Sequence, residues 1–147
     1  SFFLLGIVDE ARQALFTQLI TGLELNADIR IGRPLGSFDK PRPDRAEAIL
    51  SERSQRNVVL ALKALEAYAE ALAQGLGDIP QTRAAMARAI AQAEALDDPI
   101  FASVTDPAGR LKVEIVQQSI HLARDAALLE LGGLLGVSAG FNAADGD

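Results

Sequence analysis

The sequence predicts an all-α protein folded as an up-down-up-down four-helix bundle, and three observations carry that prediction. Apolar residues recur at three- and four-residue steps in four separate segments, the spacing of one buried helix face. The apolar content, 49% of 147 residues, is rich in Ala and Leu with only 5% aromatic residues, which favours helix over strand. Most of the segments are joined by short turns of Gly, Pro and Asp, and short connections make neighbours antiparallel.

The first helix is predicted over residues 3–28, with Leu4, Val8, Ala11, Leu15, Leu19 and Leu23 as its apolar seam. Residues 31–43 hold three prolines and two glycines and cannot continue it. A second helix is predicted over 44–74, opened by Asp44 and Glu47 at capping-box spacing, with Val58, Leu62, Leu65, Ala69 and Leu72 along its seam. The third, over 80–96, carries Met86, Ile90, Ala93 and Leu96 and stops at Asp97-Asp98-Pro99. The fourth, over 107–135, follows an Asp106 cap and a first-turn Pro107. Its apolar face is broad: Val113, Val116, Ile120, Ala123 and Ala127, with Ile115, Leu122, Ala126 and Leu129 beside them. Residues 136–147 are too rich in Gly for helix, and the whole chain fits one domain of ordinary size.

A net charge of −6 opposes a general nucleic-acid binder, since phosphate contacts need surplus Lys and Arg. The charge is unevenly spread. Residues 30–56 hold seven basic and four acidic side chains, so this stretch is +3 and the remainder −9. It is either a solvated basic loop or a local site for an anion or partner. The thirteen-residue connection at 31–43 is long enough to expect a function of its own. With no cysteine there is no disulfide, thiolate metal site or Cys nucleophile. No apolar run approaches the ~20 residues of a transmembrane helix. The opening Phe2-Phe3-Leu4-Leu5 stretch lacks a basic flank and runs into an amphipathic pattern, so it does not read as a signal peptide. A first residue of Ser rather than Met is what a processed or trimmed product would show.

The second helix contains a local conflict. Ser51, Ser54 and Asn57 extend its seam where Leu or Val would pack better, with Arg53 and Arg56 beside them. Polar groups on a core-facing stripe need partners. A polar pocket is therefore expected beside the long loop, unless the helix end protrudes into solvent. His121 is the single histidine and shares a face with Glu114, Gln118 and Asp125, so a surface pair with Asp125 one turn away is expected. A di-iron helix needs Glu where Gln118 stands, and a zincin needs a second histidine. No serine is placed against His121, and Gly32 to Lys40 lacks phosphate-loop spacing. The residues thus predict neither a catalytic set nor a complete metal site within this chain. In the tail, Asn142, Asp145 and Asp147 offer oxygen ligands to a hard cation, while Phe141 suggests a docked end.

Several strings go beyond generic helix signals: Arg33-Pro34-Leu35-Gly36, Arg45-Ala46-Glu47-Ala48, Ser51-Glu52-Arg53-Ser54-Gln55-Arg56-Asn57-Val58-Val59, and Gly136-Val137-Ser138-Ala139-Gly140-Phe141-Asn142-Ala143-Ala144-Asp145-Gly146-Asp147. In order and spacing they resemble the C-terminal half of imelysin-like proteins, also known as the imelysin peptidase or iron-regulated protein A family. The resemblance implies one half of a two-bundle, all-helical protein, periplasmic or envelope-attached and linked to iron uptake. It implies an N-terminal half carrying a Gly-x-His-x-x-Glu signature. Here His121 is followed three residues later by Arg124, so that signature is missing and iron or another divalent metal is expected only with the other half. The resemblance falls on the same helix start as the polar cluster. Arg33, Ser51, Arg53, Ser54 and Asn57 are accordingly expected to orient a small anionic or polar ligand, or to order metal ligands of the other half, with Phe141, Asn142 and Asp145 as tail contributors. A non-enzymatic binding module is the leading expectation. The alternatives are part of a metallopeptidase whose ligands lie in the other half, and a purely structural or interaction bundle.

Overall fold

A computed structural model describes residues 1–137, so the expected roles of Phe141, Asn142 and Asp145 lie outside the described residues. The chain opens with α1 (Phe2–Glu24), passes through a π-helical segment (Leu25–Ile31) and closes that rod with α2 (Gly32–Leu35). Two 3-10 turns (Pro43–Arg45 and Ile49–Ser51) cross to α3 (Ser54–Ala73). Then come α4 (Pro80–Ala95), a 3-10 turn (Ala102–Thr105) and α5 (Pro107–Leu135). The fold is all-α; among the described residues the nearest thing to a sheet is an isolated bridge between Ser37 and Lys40.

Side-chain pairs fix how the helices lie. Tyr68 Oη donates to the Leu15 carbonyl and Gly22 faces Leu65, so α1 and α3 run antiparallel. Lys63 pairs with Glu94 and Glu70 with Arg83, giving the same relation between α3 and α4. Thr82 meets Glu130, and Ser119 meets Gln92, so α4 and α5 are antiparallel too. The core lies where the seams converge. Phe16, Leu19, Leu23, Ala27 and Ile31 from the first rod meet Val58 and Leu62, Met86 and Ala89, and the α5 run Val113, Val116, Ile120, Ala123, Ala127 and Leu131, all essentially closed to solvent. Of the expected α1 seam, Leu19 and Leu23 are buried, whereas Leu4, Val8, Ala11 and Leu15 are exposed.

The helix bounds of α4 and α5 follow their sequence signals. Asp106 accepts from the Gly109 amide at 3.0 Å, as an N-cap should. At the other end Gly136 adopts φ 73°, and the Val137 amide donates back to the Gly132 carbonyl, a Schellman closure that needs the left-handed residue.

Two expected bounds are corrected. The first rod does not end at residue 28 but continues to Leu35, despite Pro34. The π segment resets the hydrogen-bond ladder at Ile31, which leaves Pro34 in the first turn of α2, where its missing N–H is not needed. The real stop is Gly36, at φ 57° and so close to the Lys40 carbonyl that a Cβ would collide with it. The second long helix begins at Ser54, not at 44. Ala48 and Glu52 both take left-handed conformations (φ 56° and 57°), which no helix can run through. Asp44 caps no helix; its carboxylate is held by both Nε and Nη2 of Arg42.

Candidate functional site

The most polar part of the interior surrounds the π segment. A π turn bonds i to i+5 and opens the ladder to outside partners. Gln117 of α5 uses this opening, donating its Nε2 to the Ala27 carbonyl at 2.9 Å. One residue earlier, Asn26 is 2% exposed and engaged at both polar atoms: Nδ2 donates to the Gly22 carbonyl at 3.0 Å, and Oδ1 accepts from Arg30 Nη1 at 3.1 Å. Arg30 extends the chain of contacts by donating Nε to Glu47 at 3.0 Å. The Glu47 carbonyl accepts from the Ser54 hydroxyl at the first turn of α3. One polar network therefore ties the π segment, the loop and the start of α3 together.

The loop is fixed from a second side by α5. Arg110 is 8% exposed; its Nη1 donates to the Leu35 carbonyl at 2.6 Å and its Nε to Glu114 at 2.7 Å. Its guanidinium lies 5.7 Å from the centre of the Phe38 ring, a cation–π contact that holds the loop apex over the helix. The Arg42 amide donates to the Pro34 carbonyl at 2.9 Å and folds the loop back on α2. Arg42, hydrogen-bonded to Asp44, also keeps that carboxyl below the usual range. The expected functional loop is thus a built structure.

The expected site residues fall in different places. Ser54 is buried and belongs to the network. Ser51 is not on the core side; it lies in a 3-10 turn, exposed, donating to its own Ala48 carbonyl at 3.1 Å. Arg33 and Arg53 are exposed and Asn57 half-buried. Among the described residues none of these three side chains makes a hydrogen bond or an ion pair. His121 does not pair with Asp125, which is taken by Arg124. Its Nε2 lies 2.7 Å from Asp28 Oδ1, on the π segment. Asn26, Arg30, Glu47, Arg110 and Gln117 carry the network and were not among the expected residues. Only Asn26 left a trace in sequence, as a polar residue three positions after Leu23 on a buried face.

Among the described residues no group of three or more His, Asp and Glu could hold a metal ion. The described side chains by themselves do not fit a metal centre. The network orders the connection between α2 and α3, and Arg33, Lys40, Arg45, Arg53 and Arg56, in and beside it, remain outside any ion pair among the described residues.

Fold and site together define an all-α domain with a hydrogen-bonded, cation-bearing loop at a π-helical turn. A model of the imelysin family matches residues 6–126, most of the chain, and the chain belongs to that family. The match covers the strings at 33–36, 45–48 and 51–59; the string at 136–147 lies beyond it. No curated protein and no solved structure matches the chain.

Proposed function

We propose that this chain is a non-enzymatic binding module of a bacterial envelope protein involved in iron uptake, and that it takes a small anionic ligand at the loop between α2 and α3. The observation that carries the reading is the division of labour among the basic side chains of residues 30–56. Arg30 and Arg42 are consumed by Glu47 and Asp44. Within residues 30–56 the remaining bases, Arg33, Lys40, Arg45, Arg53 and Arg56, outnumber the remaining acids, Asp39 and Glu52, by three, on a backbone already ordered. Cations held on a preformed frame bind anions without a large ordering cost. Asn57 adds a half-buried amide beside them. The envelope location and the iron link follow the family. A second helical half of the same protein completes the site, either with further ligand contacts or with metal ligands that this half positions.

The test is calorimetric titration of ferric citrate, an anionic iron complex, and of inorganic phosphate into the protein carrying both halves. Arg53→Ala and Asn57→Ala are expected to weaken binding of one of these probes, Arg53→Ala by about tenfold or more, the scale of a lost charge-assisted hydrogen bond. Far-UV circular dichroism should not change. Unaltered binding of both probes by both variants would sink the reading.

A further inference from the structure

On the far side of α5 from the first rod lies a groove that no element of the described chain fills. Two cavities open along it, of about 330 Å³ between Ala84, Ala85, Leu122 and Ala126, and about 240 Å³ between Ala95, Leu96 and Ile115. Small residues of α4 form the floor, and α5 supplies a ridge of large apolar residues. Ile115, Leu122 and Leu129 stand at two successive seven-residue steps, and Leu122 and Leu129 are 56% and 73% exposed. A seven-residue apolar repeat on an exposed face is the seam by which one helix packs on another. Buried against the core, the opposite face of α5 already has its own seam through Val113, Val116, Ile120, Ala123 and Ala127. The exposed repeat is therefore surplus to the bundle.

The polar groups at the groove identify what fits it. Arg88 lines the larger cavity and Lys112 the smaller, and neither is ion-paired among the described residues. The nearby acid on α4, Glu94, is taken by Lys63. In a chain of net charge −6, the lining of the two cavities holds these two cations and no acid, and the Glu130 carboxylate at the Gln81 end is held by the Gln81 and Thr82 amides. From Gln81 to Leu96 the groove runs along fifteen residue steps of α4, roughly 22 Å or about four helical turns at 1.5 Å per residue.

We infer that the α4–α5 groove is a docking site for an amphipathic helix of another protein, one that presents an apolar seam flanked by Asp or Glu. The seam fills the two cavities and covers Leu122 and Leu129, while its acidic flank meets Arg88 and Lys112. This is the helix-in-groove mode of recognition, in which apolar anchors supply affinity and rim charges select the partner. The inference is independent of the anion site, which lies at the loop on the other side of α5.

The probe is a synthetic helical peptide of about three heptads, with Leu on its seam and Glu on both flanks, and a twin carrying Lys in place of Glu. The Glu peptide is expected to bind about tenfold or more tightly than the Lys twin at low salt, with the preference shrinking as salt rises. Leu122→Asp should abolish binding without moving the urea midpoint, since the side chain is half in solvent. Arg88→Glu should reduce or reverse the preference. Equal binding of both peptides, or binding insensitive to Leu122→Asp, would overturn the inference. So would self-association of the chain that Leu122→Asp removes, because a second copy would then be the occupant. Ferric citrate binding by the Leu122→Asp protein should remain intact, which keeps the fate of this inference separate from that of the anion site.

Discussion

Arg110 carries a full charge into a nearly closed setting and discharges two tasks there, holding the Leu35 carbonyl and the Glu114 carboxylate. Replacing one member of such a set leaves the other unpaired, and the penalty is the desolvation of what remains. Arg110→Leu is expected to destabilise the fold by about 2 kcal/mol in urea unfolding, whereas Glu114→Gln, on the more exposed side of the pair, should cost well under half of that. A loss below about 0.5 kcal/mol for Arg110→Leu would show that the loop is not anchored through α5. Residues of this kind leave no mark in sequence. Arg110 reads there as one more helix cation, and its partner Leu35 lies 75 positions away. Ser54 is the reverse case. Its place on an apolar seam gave it away, because a buried hydroxyl must be satisfied, and the Glu47 carbonyl satisfies it. Ser51 sits three residues earlier on the same extrapolated seam, but the helix on which that extrapolation depends has not yet begun.

Elements were legible wherever their ends are set by their own residues. Pro80 opens α4, and Asp106 and Gly136 bracket α5. Ends set by distant partners were not legible. The capping-box pattern at Asp44 fails because Arg42 claims the carboxylate and Ala48 turns left-handed. The π segment is hidden because Leu19, Leu23, Ala27 and Ile31 keep a four-residue step straight through it, a spacing that reads as ordinary helix. A cap can also come from another element. Ile79, at the N-cap position of α4, offers no side-chain acceptor, and Glu130 of α5 instead takes the Gln81 and Thr82 amides and the Thr82 hydroxyl. Burial pushes the Glu130 carboxyl upwards, but the Thr82 hydroxyl and the two amides outweigh it and hold the group below the usual range. A depressed carboxyl stabilises the fold above its unfolded value, about 4.3, and that contribution disappears as pH falls through the lower folded value. Wild type should therefore exceed Glu130→Gln by about 0.5–1 kcal/mol at pH 7, and the gap should close progressively below pH ~4. A gap that is constant from pH 7 to 3 would mean the carboxylate charge plays no part.

At the scale of the whole molecule, apolar surface is distributed in a way that a closed four-helix bundle does not require. The sequence showed the four seams correctly as apolar, but spacing alone cannot say which stretches find a neighbour. The first turns of α1 do not: Phe2 is 95% and Phe3 76% exposed, and Leu4, Leu5, Ile7 and Val8 continue the apolar surface around the helix. These exposed side chains precede the stretch of α1 where Tyr68 of α3 meets Leu15 and Gly132 of α5 meets Phe16. They add nothing to the core, yet they expose a contiguous apolar patch of the sort that drives association. Exchanging Phe3 and Leu4 for Lys should therefore leave the urea midpoint within about 0.5 kcal/mol of wild type while lowering the tendency of the chain to self-associate in sedimentation velocity. In the two-half protein proposed above, the same double variant would separate two arrangements. If the second half covers these turns, two buried lysines destabilise that protein although they do not destabilise this chain. If instead the halves meet only at the loop between α2 and α3, the substitution is neutral in both, and the projecting end of α1 belongs to another contact.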